Sequence, residues 1–118
     1  MQIFRLVSAR NLIWIASSIL EIELRKNPDI RRREDALAML RHADELFVPD
    51  SRAVARAIFL NQLGYGDFDA LHLAAAEFAN ADILVTTDDR FLAQIRRKLG
   101  NPSVRGGNPL NYLQGLTP

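Results

Sequence analysis

The chain reads as an α/β protein with a parallel sheet, and three observations carry that reading. Short β-rich apolar runs, Leu12 to Ala16, Leu46 to Val48 and Ile83 to Val85, alternate with longer segments of helical spacing. A helix-start signal follows each run: Ser17 or Ser18, then Pro49, Asp50 and Ser51, then Asp88 and Asp89. The stretch from Asp69 to Phe91 also sets an acidic helix start, an apolar strand and a second acidic helix start in quick succession. Strands and helices taken in turn build a parallel sheet covered by helices.

Residues 2 to 8 suit the end of a helix, and Leu12 to Ala16 a strand. A helix capped by Ser17 or Ser18 runs to about Lys26, where Asn27 and Pro28 stop it. The segment IRRREDALAMLRHADEL is amphipathic, with Ala36, Leu37, Leu40 and Ala43 at helical spacing. After the short strand at Leu46 to Val48, a helix restarts at Pro49 to Ser51. It places Val54, Ala55, Ile58, Phe59 and Leu63 on one face and ends at Gly64 and Gly66. Asp69 opens the next helix, whose Ala74, Ala75 and Ala76 permit close packing, and Ile83 to Val85 is the strand before Asp88. The helix after Asp89 ends at Gly100. A brief strand is expected near Val104, a turn at Gly106 and Gly107, and a last short helix from Asn108 and Pro109.

Length and composition bound these elements to one domain, residues 1 to 118. A chain of 118 residues buries a single core, and 48% hydrophobic with 25% charged residues is ordinary for a globular protein. The longest apolar run, LIWIA, falls far short of the roughly 20 residues of a membrane span, and no signal peptide opens the chain. A cytoplasmic address and no membrane partner are therefore expected. The absence of cysteine excludes disulfides, thiolate metal sites and cysteine nucleophiles.

The net charge of +1 hides an uneven distribution. Residues 1 to 33 hold seven Lys or Arg against three acids, residues 34 to 95 four against eleven, and residues 96 to 118 four against none. An acidic centre between basic ends is the division a metal-dependent nuclease needs, carboxylates for the cation and cations for the phosphodiester backbone. The plainer account is that Arg31, Arg32 and Arg33 are a solvated helix start, and that Arg96, Arg97 and Lys98 complement a helix dipole.

Turns after the strands of a parallel sheet line one edge, outside the carboxyl ends where ligand sites of open α/β sheets lie. Asp69 and Asp88 are expected to face a common space there and to share a divalent cation. Each also has an ordinary role at a helix start, as a cap or as a carboxylate favoured by the dipole. His72, three residues after Asp69 and on nearly the same helix face, is expected in the core or behind the acids, because a hard cation prefers oxygen. Trp14 reads as core, Asp50 as a helix cap, and Thr86 and Thr87 as strand and capping residues or as hydroxyls that orient Asp88 or a phosphate.

DALHLA followed by LVTTDDRFL resembles the second half of a PIN domain, the small metal-dependent nuclease fold of VapC-type ribonuclease toxins. WIASSILEIELRKNPDIRRR resembles the segment in which that family carries its Glu, and NPLNYL its closing strand and helix. The resemblance implies a three-layer α/β/α fold with one or two Mg²⁺ or Mn²⁺ ions. Asp69 and Asp88 would bind metal directly, Glu23 directly or through water, and Asp89 would tune the field. The implied reaction is hydrolysis of RNA phosphodiester bonds by a metal-activated water. The implied partners are RNA, an antitoxin protein and a second copy of the chain. Glu21 is the alternative to Glu23. Two residues apart on a helix they point about 200° from one another, so only one faces the site. Glu23 precedes an apolar residue and a basic stretch, as the family's Glu does.

The chain departs from that pattern at its start. A PIN domain opens with an apolar strand ending in a metal-binding Asp, whereas residues 1 to 9 look like the last turns of the helix before the family's second strand. The chain thus resembles a PIN domain lacking its first ~35 to 45 residues. The missing strand is normally central, so its neighbours would lack a partner unless another chain or a rearranged segment filled the space. The alternative reading is a catalytically inactive module that acts through association with an antitoxin or with itself. A Rossmann-like ligand domain is poorly supported, because no glycine-rich phosphate loop joins a strand to a helix.

Overall fold

The structure, a computed structural model, describes residues 3–7 and 12–108. Its elements are β1 (Ile3–Val7), β2 (Leu12–Ser17), α1 (Ser18–Arg25), α2 (Ile30–Leu40), β3 (Glu45–Phe47), α3 (Ser51–Leu63), α4 (Asp67–Phe78), β4 (Ile83–Val85), α5 (Asp89–Arg96) and β5 (Arg105–Gly107). The fold is mixed α/β. Among the described residues no helix is long and apolar enough to cross a membrane.

The five strands lie in the order β3-β2-β1-β4-β5. β2 pairs with β3, and β4 with β5, in parallel as expected. β1 is a correction: the segment read as a helix end is a strand, and it stands at the centre antiparallel to both neighbours. The sheet is therefore mixed rather than parallel. The physical reason is the slot itself. Backbone groups of β2 and β4 that face it need partners, and IFRLV is rich in residues that favour strands. Phe4 pairs with both Ile15 and Leu84, so β2 and β4 run the same way and stand level across β1.

α4 is the central helix. Ala70, His72, Leu73, Ala74, Ala75 and Ala76 are all buried, and the small alanines let it lie close to β2, β4 and α3. Against it pack Ile15, Leu84, Leu60, Phe91 and Ile95 in one core cluster. Tyr65 joins that cluster, edge-on to Phe91 with ring centroids 6.0 Å apart.

Two further expectations are corrected here. The buried stripe of α3 is Ala53, Ala57 and Leu60, while Val54, Ile58, Phe59 and Leu63 are exposed. Close approach to α4 selects the small side chains and leaves the bulky ones on the flanks. Gly106 and Gly107 lie in β5 rather than in a turn. A β-carbon on Gly106 would stand 2.9 Å from Leu92 and 3.1 Å from Ile95, so the glycine lets α5 seat on the strand. Trp14 is half-buried rather than core. The helix expected from Asn108 and Pro109 lies outside the described residues.

Candidate functional site

β2 and β4 end level with each other, so the turns that follow them share one edge of the sheet. Both leave the sheet through a buried hydroxyl. Ser17 Oγ accepts the Ile19 N–H at 3.0 Å and starts α1, and Thr86 Oγ1 accepts the Asp88 N–H at 3.0 Å and sets the turn into α5. α1 then runs along the N-terminal half of α4. Glu23 Oε1 lies 3.1 Å from His72 Nε2, and one turn further Lys26 Nζ sits 5.1 Å from the centre of the Phe68 ring. Those contacts place the N-terminal half of α4 beside the helix that leaves β2.

The carboxylates take distinct positions around this edge. Glu23 is turned inward, its side chain about a third exposed, against the fully buried His72. Glu21 is turned outward, paired with Arg25 at 2.8 Å. Asp69 is the third residue of α4 and half-buried. Gly66 is the N-cap, and a β-carbon there would make ordinary contact with Asp69, 3.5 Å from its Oδ2. Asp88 is the N-cap of α5, its Oδ1 accepting the Phe91 N–H at 3.1 Å, and Asp89 is exposed in the first turn. Asp50 caps α3. The Ala53 N–H and then the Arg52 side chain hold its carboxyl below the usual value.

These residues suit a hard cation in kind but not in number. Mg²⁺ takes oxygen ligands and keeps several waters, and one or two carboxylates with a substrate phosphate complete its shell. Asp69 and Asp88 offer that chemistry. Among the described residues, however, no group of three or more His, Asp or Glu side chains has the spacing to hold a metal ion. Glu23, the third acid of the expected set, has its Oε1 in contact with His72.

The Glu23–His72 contact escaped the sequence. It joins residues 49 apart, and the one available sign was a polar ring on an otherwise apolar Ala/Leu helix. Compared with known proteins, the chain matches no family model, no curated protein and no solved structure.

Proposed function

We propose that the chain is a PIN-like α/β/α nuclease module, a Mg²⁺- or Mn²⁺-dependent endoribonuclease of the VapC toxin type. The supporting observation is that α1 follows β2 and Asp88 follows β4 on one edge of the sheet, with Glu23 of α1 against His72, one turn from Asp69 on α4. A bound cation would supply an activated water and offset phosphate charge. The chain's own residues do the positioning. Thr86 fixes the turn that carries Asp88, and His72 holds Glu23 against α4.

The test is Mn²⁺-dependent cleavage of a structured RNA by the purified chain. An Asp69→Asn, Asp88→Asn double variant and a chelator serve as controls. Cleavage that disappears in both controls is expected. A folded chain that cleaves nothing overturns the reading.

One observation favours a second reading, a non-catalytic module acting through an antitoxin or a second copy. The strand at the centre of the sheet, IFRLV, carries no carboxylate, whereas the family pattern ends its central strand in an Asp. The edge strand β3 exposes Leu46 and is followed by the exposed Val48, and such edges recruit other chains. The cleavage assay above separates the two, and sedimentation across a hundredfold range of concentration shows whether a chain that cleaves nothing associates with itself.

A further inference from the structure

A groove of about 370 Å³ lies between the end of α5 and β5, the outermost strand on that side of the sheet. Its floor is apolar, made by Ile95, Pro102 and Val104, and its rim carries Arg96, Lys98 and Arg105. All three cations are exposed, and none enters an ion pair among the described residues. No acid lines the groove, and none occurs in the sequence from Arg90 to the end.

The helix dipole accounts for only part of this. Cations in the last turn of α5 complement its C-terminus. Arg105 comes from a strand and falls outside that account. Lys98 has φ 59°, just after the helix C-cap Arg97, a left-handed position that glycine occupies at least cost. A β-carbon there costs about 1 kcal/mol. The chain keeps a lysine at that position, and its side chain reaches the groove.

The segment that carries Lys98 is also held in place. Tyr65 Oη donates to the Leu99 carbonyl at 2.8 Å, and Arg56 Nη2 to the Gly100 carbonyl at 2.7 Å. Glu77 Oε2 accepts the Ser103 N–H at 3.1 Å. The backbone of residues 99 to 103 is therefore held before anything binds, which lowers the entropic cost of ordering that segment on a ligand.

We propose that this groove docks the phosphate backbone of single-stranded RNA, with one phosphate at each of Arg96, Lys98 and Arg105. Three cations match a polyanion, and of the acids bonded to the groove's backbone, Asp82, whose carbonyl accepts the Arg105 N–H at 3.2 Å, and Glu77, the latter is already paired with Arg56. The floor offers no aromatic ring to stack a base, so the contact is to backbone and independent of sequence. Arg105 pairs in register with Ile83 at the start of β4, and Asp88 follows the other end of that strand. A strand of RNA seated in the groove and continuing along the sheet would reach the carboxylate edge. The inference rests on the nuclease reading only for its choice of RNA.

The experiment is fluorescence anisotropy of a labelled twelve-residue oligouridine with the whole chain, in EDTA, so that binding is read without cleavage. Three phosphate contacts on a single strand give a slope of about −2 in log K against log [NaCl], or roughly twenty-fold weaker binding at 200 mM than at 50 mM. The Arg96→Gln, Lys98→Gly, Arg105→Gln variant is expected to lose most of that slope. Each single substitution is expected to remove about 0.7 of it, which keeps the test valid if the triple variant folds poorly. An Arg31→Gln, Arg32→Gln variant is expected to bind as the parent does.

An unchanged slope in the single variants overturns the proposal, as does absence of binding by the parent chain. Groove-dependent binding to phosphatidylserine vesicles without binding to the oligouridine overturns it in favour of a membrane surface. Failure of the cleavage assay leaves this result untouched, since no metal is present.

Discussion

Replacing Glu77 by Gln should destabilise the protein by about 2 to 3 kcal/mol, because that carboxylate ties three parts of the fold together. It takes a two-pronged contact from Arg56 on α3, at 3.0 and 3.1 Å, and the Ser103 N–H at 3.1 Å, while itself standing on α4. The Glu77 side chain is 10% exposed and that of Arg56 24%. Removing one partner of a fully buried ion pair costs about 3 to 5 kcal/mol, and water reaching the partly exposed Arg56 lowers that here. For a domain of this size the loss corresponds to a fall of about 8 to 12 °C in Tm. Urea and thermal unfolding of Glu77→Gln, Arg56→Met and the double variant form a cycle that isolates the contact. The double variant is expected to be more stable than the two single losses added together, since each single change leaves a charge without its partner. A Glu77→Gln variant within about 0.5 kcal/mol of the parent, or strictly additive losses, would refute the argument.

Two other outcomes follow from packing and burial. Burial, with the Glu77 charge adding and Arg56 and Arg97 opposing, pushes the Tyr65 hydroxyl up from 10.0 to about 12. The folded state thus holds this proton more tightly than the unfolded one. The associated stability is complete below pH 10 and is lost between pH 10 and 12, by about 2 to 3 kcal/mol. Denaturant titrations at those pH values should show this limb in the parent chain and not in Tyr65→Phe, and equal slopes would count against it. Gly106→Ala should cost about 1 to 3 kcal/mol in urea unfolding, because its β-carbon would press on Leu92 and Ile95, side chains locked in the core-facing side of α5. A neutral result would mean that α5 shifts freely on β5.

The elements with complete local signals were legible in the sequence. Ser17, Asp50 and Asp88 each cap a helix with their own side chains, and Gly64 ends α3 at φ 123°. Ile83 to Val85 is the strand that its composition predicts. What failed depended on distant chain. Five residues of IFRLV fit either a helix end or a strand by period alone, and the open slot between β2 and β4 decides for strand. The α3 face was misread because helical spacing fits either stripe. The large side chains drew the prediction, while close contact with α4 buries Ala53 and Ala57 instead. At the carboxylate edge the positions of Asp69 and Asp88 at helix starts were legible. The engagement of Glu23 by His72 was not, because it depends on how α1 lies across α4.

The reversed central strand bears directly on the site. Because β1 is antiparallel to both neighbours, it leaves the levels of β2 and β4 intact and the turns after them still meet. Its own direction is inverted, however. Ile3, at its start, pairs with Val85, while Val7, at its end, pairs with Leu12 at the opposite edge. A residue following β1 therefore leaves the sheet on the side away from Asp88, and this strand cannot deliver an acid to the carboxylate edge from its C-terminal end. In the nuclease reading, a substrate phosphate would supply oxygen ligands that this strand does not. That role links the two proposed features: a groove that brings a phosphate backbone toward Asp88 would also bring those oxygens.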